Sequence, residues 1–363
     1  MNDVILFIKT KSFLNDRRTH KEISLLKEIG KNVEVVLSCD DDIELRNYDY
    51  KIRRINIPGG AANSNFIIRM FGAIYFSILS VILSNKGKEK TYWVADPIMF
   101  ILVIMLSFFK GRIVWDHHEL PPSWIFNNKL LKLLFRTAYK RCFLIVHTNR
   151  ERQKKLEEWL GNSFIARSVV MKNLPDRSGV NSVEEVEGVE EWIRGREFIY
   201  LQNSFVSARC GANIYKAALE NDLLIVHAGN SLDYDYLFKE GIDEDEFKKN
   251  VFLCGNLELK QINYLLQRCK MTVVFYKETS LNQVYCEPNR VYQAMANNSY
   301  ILSGCNPTLV DILSIYPNCH ILDSDGSILN DVSTAMKCKF NKKKYKYEEF
   351  WCKYKATLKN ELI

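Results

Sequence analysis

Residues 286–304 read CEPNRVYQAMANNSYILSG, and this stretch decides the fold class. An acid and a proline open it, which favours a helix start with Pro288 at the first helical position and Glu287 near the N-cap. Two asparagines close the helix, and the short apolar run YILSG follows as a strand. A helix followed at once by an apolar strand is typical of an α/β domain with a parallel sheet.

The same alternation of strands and helices extends through the rest of the chain, in two halves. DVILFIK, VEVVLS, TYWVAD, RIVWD and FLIVHT are strand-like runs in the first half, and EFIYLQ, LLIVHAG, VFLCG and MTVVFY are their counterparts in the second. We therefore predict an α/β protein with two Rossmann-like parallel-sheet domains, at 1–175 and 197–340. An acidic, polar linker at 176–196 would join them, and a C-terminal helix at 341–363 would pack back on the first domain. Ligands of such sheets bind outside the carboxyl ends of the strands, so we expect a cleft between the halves.

Composition limits the class of protein. The chain has 363 residues, a net charge of +7 and 47% apolar residues, as expected for a globular protein with two cores. Its ten cysteines contain no CxxC pair and no accompanying histidine cluster, which argues against a zinc site. The N-terminus lacks a signal-peptide layout. Reduced thiols in a cytoplasmic protein are the expectation.

Two apolar stretches, residues 70–85 and 97–109, raise the question of membrane contact. Both are shorter than the ~20 residues that cross a bilayer, so we predict buried helices. The flanking cations Arg69, Lys110 and Arg112 leave peripheral contact with the inner face of the membrane open. The basic stretch 337–346, KCKFNKKKYK, would suit phosphates or an anionic membrane surface, or it is a solvated surface.

The first turn of the opening helix carries Arg290 and Gln293 on one face. A helix N-terminus offers free N–H groups, and an arginine beside it can clamp a phosphate. Gln293 could bond vicinal hydroxyls, such as those of a ribose. The alternative is a capped surface helix with incidental polar residues. Arg209, after the first strand of the second half, is a further cation at a strand-to-helix junction.

Polar residues also end the strand in VWDHHELPPSW, residues 114–124. Asp116, His117, His118 and Glu119 stand together there, either as a catalytic group or as structural hydrogen-bonders. Successive side chains of an extended segment point to opposite faces, so they chelate a metal poorly. Neither a GxGxxG nor a P-loop motif is present, which disfavours dinucleotide binding and ATPase chemistry.

These motifs, in this order, resemble the GT-B glycosyltransferases, specifically the glycosyltransferase family 4-like group of bacterial surface polysaccharide synthesis. EPNRVYQAMANNSYILSGCNPTLVDIL is similar to the family's "PNK…YE" helix, and RIVWDHHELPP is similar to its "D-x-HE" strand end. NDRRTHKEISLLKEIGKNVEVV resembles its first helix. The match extends from about residue 10 to residue 320.

The resemblance implies a nucleoside-diphosphate sugar donor bound by the second domain, which makes the first the acceptor domain. The donor-binding residues would be Arg209, Glu287, Asn289, Arg290 and Gln293. Arg290 and Arg209 would hold the diphosphate, and Gln293 stands where the family has a ribose-binding glutamate.

On the acceptor side, the resemblance places His118 at the reacting centre, supported by Asp116 and Glu119. It also implies a retaining transfer with no metal and no other cofactor. The expected partner, besides the nucleotide sugar, is a glycan or lipid-linked acceptor.

The sequence thus predicts a cytoplasmic glycosyltransferase that extends a lipid-linked glycan of a capsule or O-antigen. A GT-B-fold sugar-nucleotide epimerase is one alternative. A catalytically silent GT-B binding or scaffold module is another, and Gln293 keeps it open. A nucleic-acid binder is disfavoured because it would need a concentrated basic stripe with aromatics.

Overall fold

The computed structural model describes residues 3–14, 16–42, 44, 48–61, 66–84, 90–161, 167–174 and 182–362. Contacts divide the chain into two compact units, Met1–Lys172 with Ala356–Ile363 and Asn173–Lys355. Of the predicted linker, residues 176–181 lie outside the described residues. Its described part, 182–196, buries Val186, Val189 and Ile193 in the core of the second unit. This part of the segment therefore belongs to a packed domain.

In the first unit, the described strands form a seven-stranded sheet in the order β3-β2-β1-β4-β5-β6-β7, with every pairing parallel. The strands are β1 (Asp3–Lys9), β2 (Asn32–Ser38), β3 (Lys51–Arg54), β4 (Lys90–Ala95), β5 (Gly111–His117), β6 (Leu144–His147) and β7 (Ser168–Val170). The helices are α1 (Arg17–Glu28), α2 (Phe66–Leu83), α3 (Phe100–Leu106), α4 (Trp124–Asn127), α5 (Lys129–Arg141) and α6 (Arg150–Leu160), with a 3₁₀ turn at Pro97–Met99.

In the second unit, a six-stranded parallel sheet runs in the order β10-β9-β8-β11-β12-β13. The strands are β8 (Phe198–Gln202), β9 (Leu224–Ala228), β10 (Val251–Gly255), β11 (Met271–Val274), β12 (Ile301–Ser303) and β13 (Cys319–Ile321). The helices are α7 (Val189–Ile193), α8 (Gly211–Glu220), α9 (Tyr234–Lys239), α10 (Glu244–Asn250), α11 (Leu259–Arg268), α12 (Leu281–Val284), α13 (Asn289–Ala296), α14 (Pro307–Leu313) and α15 (Leu329–Lys337), with a 3₁₀ turn at Ser207–Arg209.

The chain ends in α16 (Tyr347–Leu362). Lys359 of this helix pairs with Glu28 of α1 at 2.9 Å, and both residues belong to the first unit.

Strand β8 shows how the second sheet obtains a core on each face. Phe198 and Tyr200 join one buried cluster, whereas Ile199 and Leu201 join the other. Alternate side chains of a strand point to opposite faces, so a strand with helices on both sides must be apolar at nearly every position. This explains the unbroken apolar run FIYL and confirms the predicted α/β class.

In both sheets the order in which successive strands are added reverses once, between β1 and β4 in the first unit and between β8 and β11 in the second. All the described strands nevertheless remain parallel. At such a point the connections leave the sheet on opposite sides, which opens a crevice at the carboxyl ends of the two strands. These two edges are where functional side chains are expected.

Helix α2 departs from the prediction of a buried helix. Ile68, Phe71, Tyr75, Ile78 and Ile82 are exposed and recur every three or four residues. They form one apolar stripe along the helix surface, which we call the α2 stripe. The second apolar stretch, residues 97–109, does form a buried helix as predicted. The buried side chains of α3 are Phe100, Leu102, Val103 and Leu106. No helix within the described residues is long and apolar enough to span a membrane.

Candidate functional site

Two arginines converge in the second unit at the point where the strand order of its sheet reverses, between β8 and β11. Nη1 of Arg290 donates to the backbone oxygen of Gln202 at 2.7 Å, and Nη1 of Arg209 donates to the same oxygen at 3.2 Å. Arg209 also reaches the carbonyl of Asn203, and Arg290 reaches that of Phe275 at 3.5 Å. Because Gln202 ends β8 and Phe275 follows β11, the arginine pair lies at the carboxyl ends of these two strands.

The arginine pair concentrates positive charge in a partly buried place. The guanidinium carbons of Arg209 and Arg290 lie 5.3 and 5.0 Å from the ring centre of Tyr276, so both cations contact the same aromatic ring. Burial lowers the pKa of Arg209, and the charge of Arg290 lowers it further. The buried Nε of Arg290 has no hydrogen-bond partner among the described residues. An anion placed here would relieve the repulsion between the two guanidinium groups and would accept a hydrogen bond from Nε of Arg290.

The loop that supports the pair depends on Gly211. A Cβ at this position would lie 2.7 Å from the oxygen of Ser204 and 2.8 Å from Cα of Phe205, which is too close for any side chain. Only glycine lets the start of α8 approach this backbone. The Oγ of Ser204 then accepts from Arg290 at 3.1 Å, and its amide donates to Nε2 of His227 at 3.2 Å. Burial lowers the pKa of His227 to about 4, so it stays a neutral acceptor.

The other predicted donor-binding residues surround α13. The N-cap is Pro288, with no side-chain cap, so the predicted arrangement of Glu287 near the N-cap and Pro288 inside the helix is wrong by one residue. Glu287 is buried, and its Oε1 accepts from the amide of Asn173 at 3.2 Å and the hydroxyl of Tyr292 at 2.8 Å. Oδ1 of Asn289 is buried without a hydrogen-bond partner in the described structure.

Gln293 is only 3% exposed, because it lies one turn deeper in α13 than Arg290. The sequence placed both residues on one face at the helix start. Both lie in α13 three residues apart, so they share a face of the helix as predicted, but the Gln293 side chain is buried whereas Arg290 reaches the strand ends.

In the first unit, Asp116 lies near the end of β5 and is fully buried. Arg18, in the first turn of α1, clamps its carboxylate with two bonds, Nη2 to Oδ1 at 2.6 Å and Nε to Oδ2 at 3.1 Å. A third bond joins Arg18 to the carbonyl of Met171 after β7, at 2.8 Å. Burial would raise the pKa of Asp116, but Arg18 and then His118 hold it well below its usual range. The carboxyl is therefore ionised.

His118 and Glu22 complete this group, which we call the Asp116 cluster. Nε2 of His118 lies 2.6 Å from Oδ2 of Asp116 and 3.7 Å from Oε1 of Glu22. Burial lowers the pKa of His118, but the Asp116 carboxylate outweighs this effect and raises the pKa to about 10. Burial, together with the charge of Asp116, raises the pKa of Glu22 to about 8. At neutral pH the cluster thus holds a cationic histidine and a protonated glutamic acid.

Arg152, near the start of α6, fixes the backbone of His118. Arg152 of α6 donates to the backbone oxygen of His118 at 2.6 Å and to Oγ1 of Thr148 at 2.9 Å. His117 points into the domain instead, where its ring meets Trp115 and His147 edge-on. About a quarter of the His118 side chain remains exposed. A ligand can therefore reach His118 but not His117.

Glu119 was predicted to support His118, and the structure does not bring the two together. Glu119 is exposed and makes no side-chain contact with the Asp116 cluster in the described part of the chain. Besides Asp116, the carboxyl group near His118 belongs to Glu22, which sequence reasoning missed. The signal was available in part, because Arg18 and Glu22 are four residues apart and so share a face of α1.

Glu22, Asp116 and His118 offer three ligand atoms within 4.8 Å of one another, a spacing that could hold a metal ion. The guanidinium of Arg18 already occupies both oxygens of Asp116 and lies 3.1 Å from Glu22. A fixed cation therefore takes the place where an ion would sit, and the residues fit a metal poorly.

No protein-family model and no curated protein matches the chain. Solved structures do match it along almost its whole length. A UDP-forming α,α-trehalose-phosphate synthase from Burkholderia xenovorans superposes with a TM-score of 0.71 at 9% sequence identity. The alignment covers 100% of this chain and 99% of the synthase chain. Sucrose-phosphate synthase from Thermosynechococcus elongatus has a TM-score of 0.65 at 11% identity, with 99% and 93% covered.

The HepE protein of Anabaena, solved in complex with UDP and glucose, has a TM-score of 0.60 at 11% identity and covers 99% of this chain and 93% of its own. Together with the two parallel sheets and their shared strand order, these similarities establish that the chain has the GT-B fold of two Rossmann-like domains.

Proposed function

We propose that the protein is a glycosyltransferase that uses a nucleoside-diphosphate sugar. The observation that carries this proposal is the arginine pair, because two guanidinium groups at a strand reversal of a Rossmann-like domain suit a diphosphate. The similar HepE structure, which holds UDP and glucose, supports the same class of donor. Asn289 and Gln293 would complete the donor site on α13, with Glu287 bracing the segment that precedes it.

The arginines act on the leaving group. As the bond between sugar and diphosphate breaks, negative charge grows on the phosphate oxygens, and Arg209 and Arg290 are already in place to stabilise it. Water need not reorganise during this step, since both cations are fixed by backbone carbonyls. This arrangement provides the charge that a metal ion supplies in other transferases. The reaction we propose is therefore metal-independent and without a further cofactor. We also propose that it proceeds with retention, which only the resemblance to the GT-B glycosyltransferases implies.

His118 acts from the first domain on the reacting sugar. Its raised pKa makes it an imidazolium, which donates hydrogen bonds and cannot accept a proton. Asp116 keeps the ring charged and oriented, and Glu22 lies beside it. We assign His118 to hydrogen bonding and charge stabilisation and Asp116 to its support. Glu119, also predicted here, would contribute only through contact with a ligand.

We further propose a lipid-linked glycan acceptor and a role in surface polysaccharide synthesis, such as a capsule or O-antigen. The α2 stripe supports this, because an apolar stripe on an exposed helix suits the boundary between headgroups and acyl chains. The protein would then work in the cytoplasm, at the inner face of the cell membrane. Nucleic acid is not among the partners we propose.

Nucleotide-sugar binding tests the proposal directly. Thermal unfolding would be measured with UDP-, GDP-, ADP- and CMP-sugars, for the wild type and for Arg290→Gln. We expect one nucleotide class to raise the melting temperature of the wild type and to have little effect on the variant. No stabilisation by any nucleotide would contradict the donor assignment.

Turnover then separates the candidate functions. Transfer of labelled sugar to a lipid extract identifies a transferase, and conversion of the nucleotide sugar without acceptor identifies an epimerase. Binding with neither reaction leaves a silent binding module. Equal rates with and without EDTA are expected, because Arg18 occupies the only cluster in the described residues with a metal-like spacing.

A further inference from the structure

A cavity of about 720 Å³ opens at the other end of the second sheet, away from the arginine pair. Its floor includes Phe198 and Cys269, at the amino-terminal ends of β8 and β11, and its walls carry six cationic side chains and one glutamate. The cations are Arg196, Arg268, Lys270, Lys337, Lys339 and Lys342. We call this the basic cavity.

Most of this charge is not neutralised within the protein. Arg268 pairs with Glu190, and Lys270 pairs with Glu197, each at 2.9 Å. Arg196, Lys337 and Lys339 have no carboxylate partner among the residues that the structure describes. The ammonium of Lys342 donates to the carbonyl of Cys269 at 2.9 Å, so it sits at the cavity floor with its charge uncompensated.

The lysine-bearing segment is held in place. The ring of Phe340 stacks on Tyr300 with centroids 3.5 Å apart. The buried side chain of Asn318 accepts from the amide of Lys343 at 2.6 Å and donates to its carbonyl at 2.7 Å. The lysines at 337, 339 and 342 therefore project from an anchored backbone, and their charges stay around the cavity instead of dispersing along a free tail.

We propose that the basic cavity binds a small, multiply charged phosphorylated ligand, as a site separate from the donor site. Several cations around one concave space match the charge and size of such a ligand and would gain the partners they lack. The length of β8 separates the two sites. Phe198 begins this strand at the basic cavity and Gln202 ends it at the arginine pair, about 13 Å away at about 3.3 Å per residue. The inference does not depend on the proposed transferase activity.

Site-resolved lysine acetylation tests the proposal without confusion with the arginine pair. The folded full-length protein would be treated with an acetylating reagent, with and without inorganic pyrophosphate, and each lysine would be quantified by mass spectrometry. We expect pyrophosphate to slow acetylation of Lys337 and Lys339 several-fold. Lys239 and Lys249, exposed on α9 and α10 outside the cavity, provide the internal control and should be unchanged.

A matched pair of variants checks affinity. In Lys337→Gln/Lys339→Gln, pyrophosphate should bind this site about tenfold more weakly or worse, since two charged contacts are lost. Lys239→Gln/Lys249→Gln removes the same charge elsewhere and should bind as the wild type does. Equal weakening in both variants would show a general charge effect and overturn the proposal.

Vesicles identify the source of the phosphate group. Vesicles of phosphatidylcholine with phosphatidylglycerol would be compared with pure phosphatidylcholine for the wild type and both double variants. Binding that only Lys337→Gln/Lys339→Gln weakens assigns the site to a lipid headgroup, and protection by pyrophosphate alone assigns it to a soluble ligand. If neither probe distinguishes that variant from the control, the basic cavity is not a phosphate site.

Discussion

Nε2 of His118 lies 2.6 Å from Oδ2 of Asp116, and this contact decides the charge of the histidine. Burial alone would keep the ring neutral, as it does for His147, whose pKa falls to about 3. The carboxylate reverses the outcome and raises the pKa of His118 to about 10. His118 and His147, which follow or end neighbouring strands, thus differ in charge at neutral pH because His118 touches Asp116.

The first prediction concerns the catalytic role of His118. His118→Ala should lower turnover by about 10²–10³ while the donor dissociation constant changes less than about threefold, because a donor to the reacting sugar is lost and the diphosphate contacts remain. Single-turnover rates and donor titration measure the two quantities. Loss of nucleotide binding in this variant would show that His118 belongs to the donor site instead.

The second prediction concerns pH. In Asp116→Asn the carboxylate no longer favours the imidazolium, so burial should bring the pKa of His118 below its ordinary value of 6.5, and activity should already be low at neutral pH. The wild type should stay active to about pH 9, since its His118 remains charged. Rates between pH 5.5 and 9.5 would show this, with circular dichroism as the check on folding. Parallel profiles for the two proteins would exclude a charged histidine from the mechanism.

The third prediction concerns stability and Glu22. Its pKa is raised to about 8 in the folded protein from 4.5, so the folded state binds an extra proton across that window. Stability associated with Glu22 is therefore fully present below about pH 4.5 and is lost as pH rises toward 8. Glu22→Gln, which resembles the protonated acid, should remove this loss. Its advantage in stability over the wild type should grow by roughly 3 kcal/mol between pH 5.5 and pH 8.5, at about 1.36 kcal/mol for each pH unit up to 8.

Urea unfolding at the two pH values measures this difference. Glu119→Gln is the matched control, because Glu119 is exposed on the neighbouring segment and its replacement should leave the pH dependence unchanged. If both variants follow the wild type, Glu22 is not the group that binds the proton.

The fourth prediction concerns the arginine pair. Arg290→Gln and Arg209→Gln should each weaken nucleotide-sugar binding by about 10- to 100-fold, since a charge-assisted contact to a phosphate contributes roughly 1.5–3 kcal/mol. Arg268→Gln on α11 removes a cation from a surface ion pair and should have little effect on the donor. Calorimetric titration with the nucleotide sugar would give the dissociation constants of the three variants for comparison. An equal loss in Arg268→Gln would point to net charge and away from a specific site.

Sequence reasoning found Asp116, His118, Arg209 and Arg290 because each stands at a strand end or a helix start, where an α/β sheet exposes side chains. Their partners were harder to find. Glu22 is in the second turn of α1, and only the packing of that helix against the end of β5 brings it to His118. Such a contact, 96 residues apart in the chain, depends on tertiary structure and leaves no local pattern.

Two other departures have local causes. The acidic stretch after residue 181 suggested a linker, although Val186, Val189 and Ile193 recur at helical spacing and are buried. Charged neighbours concealed that pattern. For α2, composition predicted burial, but the sequence could not show that one apolar side of the helix is exposed in the described structure. Likewise, the basic stretch 337–346 was evident, whereas the cavity it lines was not.

The last prediction joins the fold to the donor site through Gly211. Gly211→Ala places a methyl group against the backbone of Ser204 and Phe205, so the loop or α8 must move, at a cost of about 1–3 kcal/mol. Because Ser204 accepts from Arg290, donor affinity should fall together with stability. Gly30→Ala is the comparison, since its φ of +77° carries strain but its Cβ would meet open space.

Gly30→Ala should therefore cost only about 1 kcal/mol and leave donor binding intact. Urea unfolding and donor titration of both variants measure the two effects. If Gly211→Ala lost stability but bound donor normally, the loop after β8 would support the domain without positioning the arginine pair.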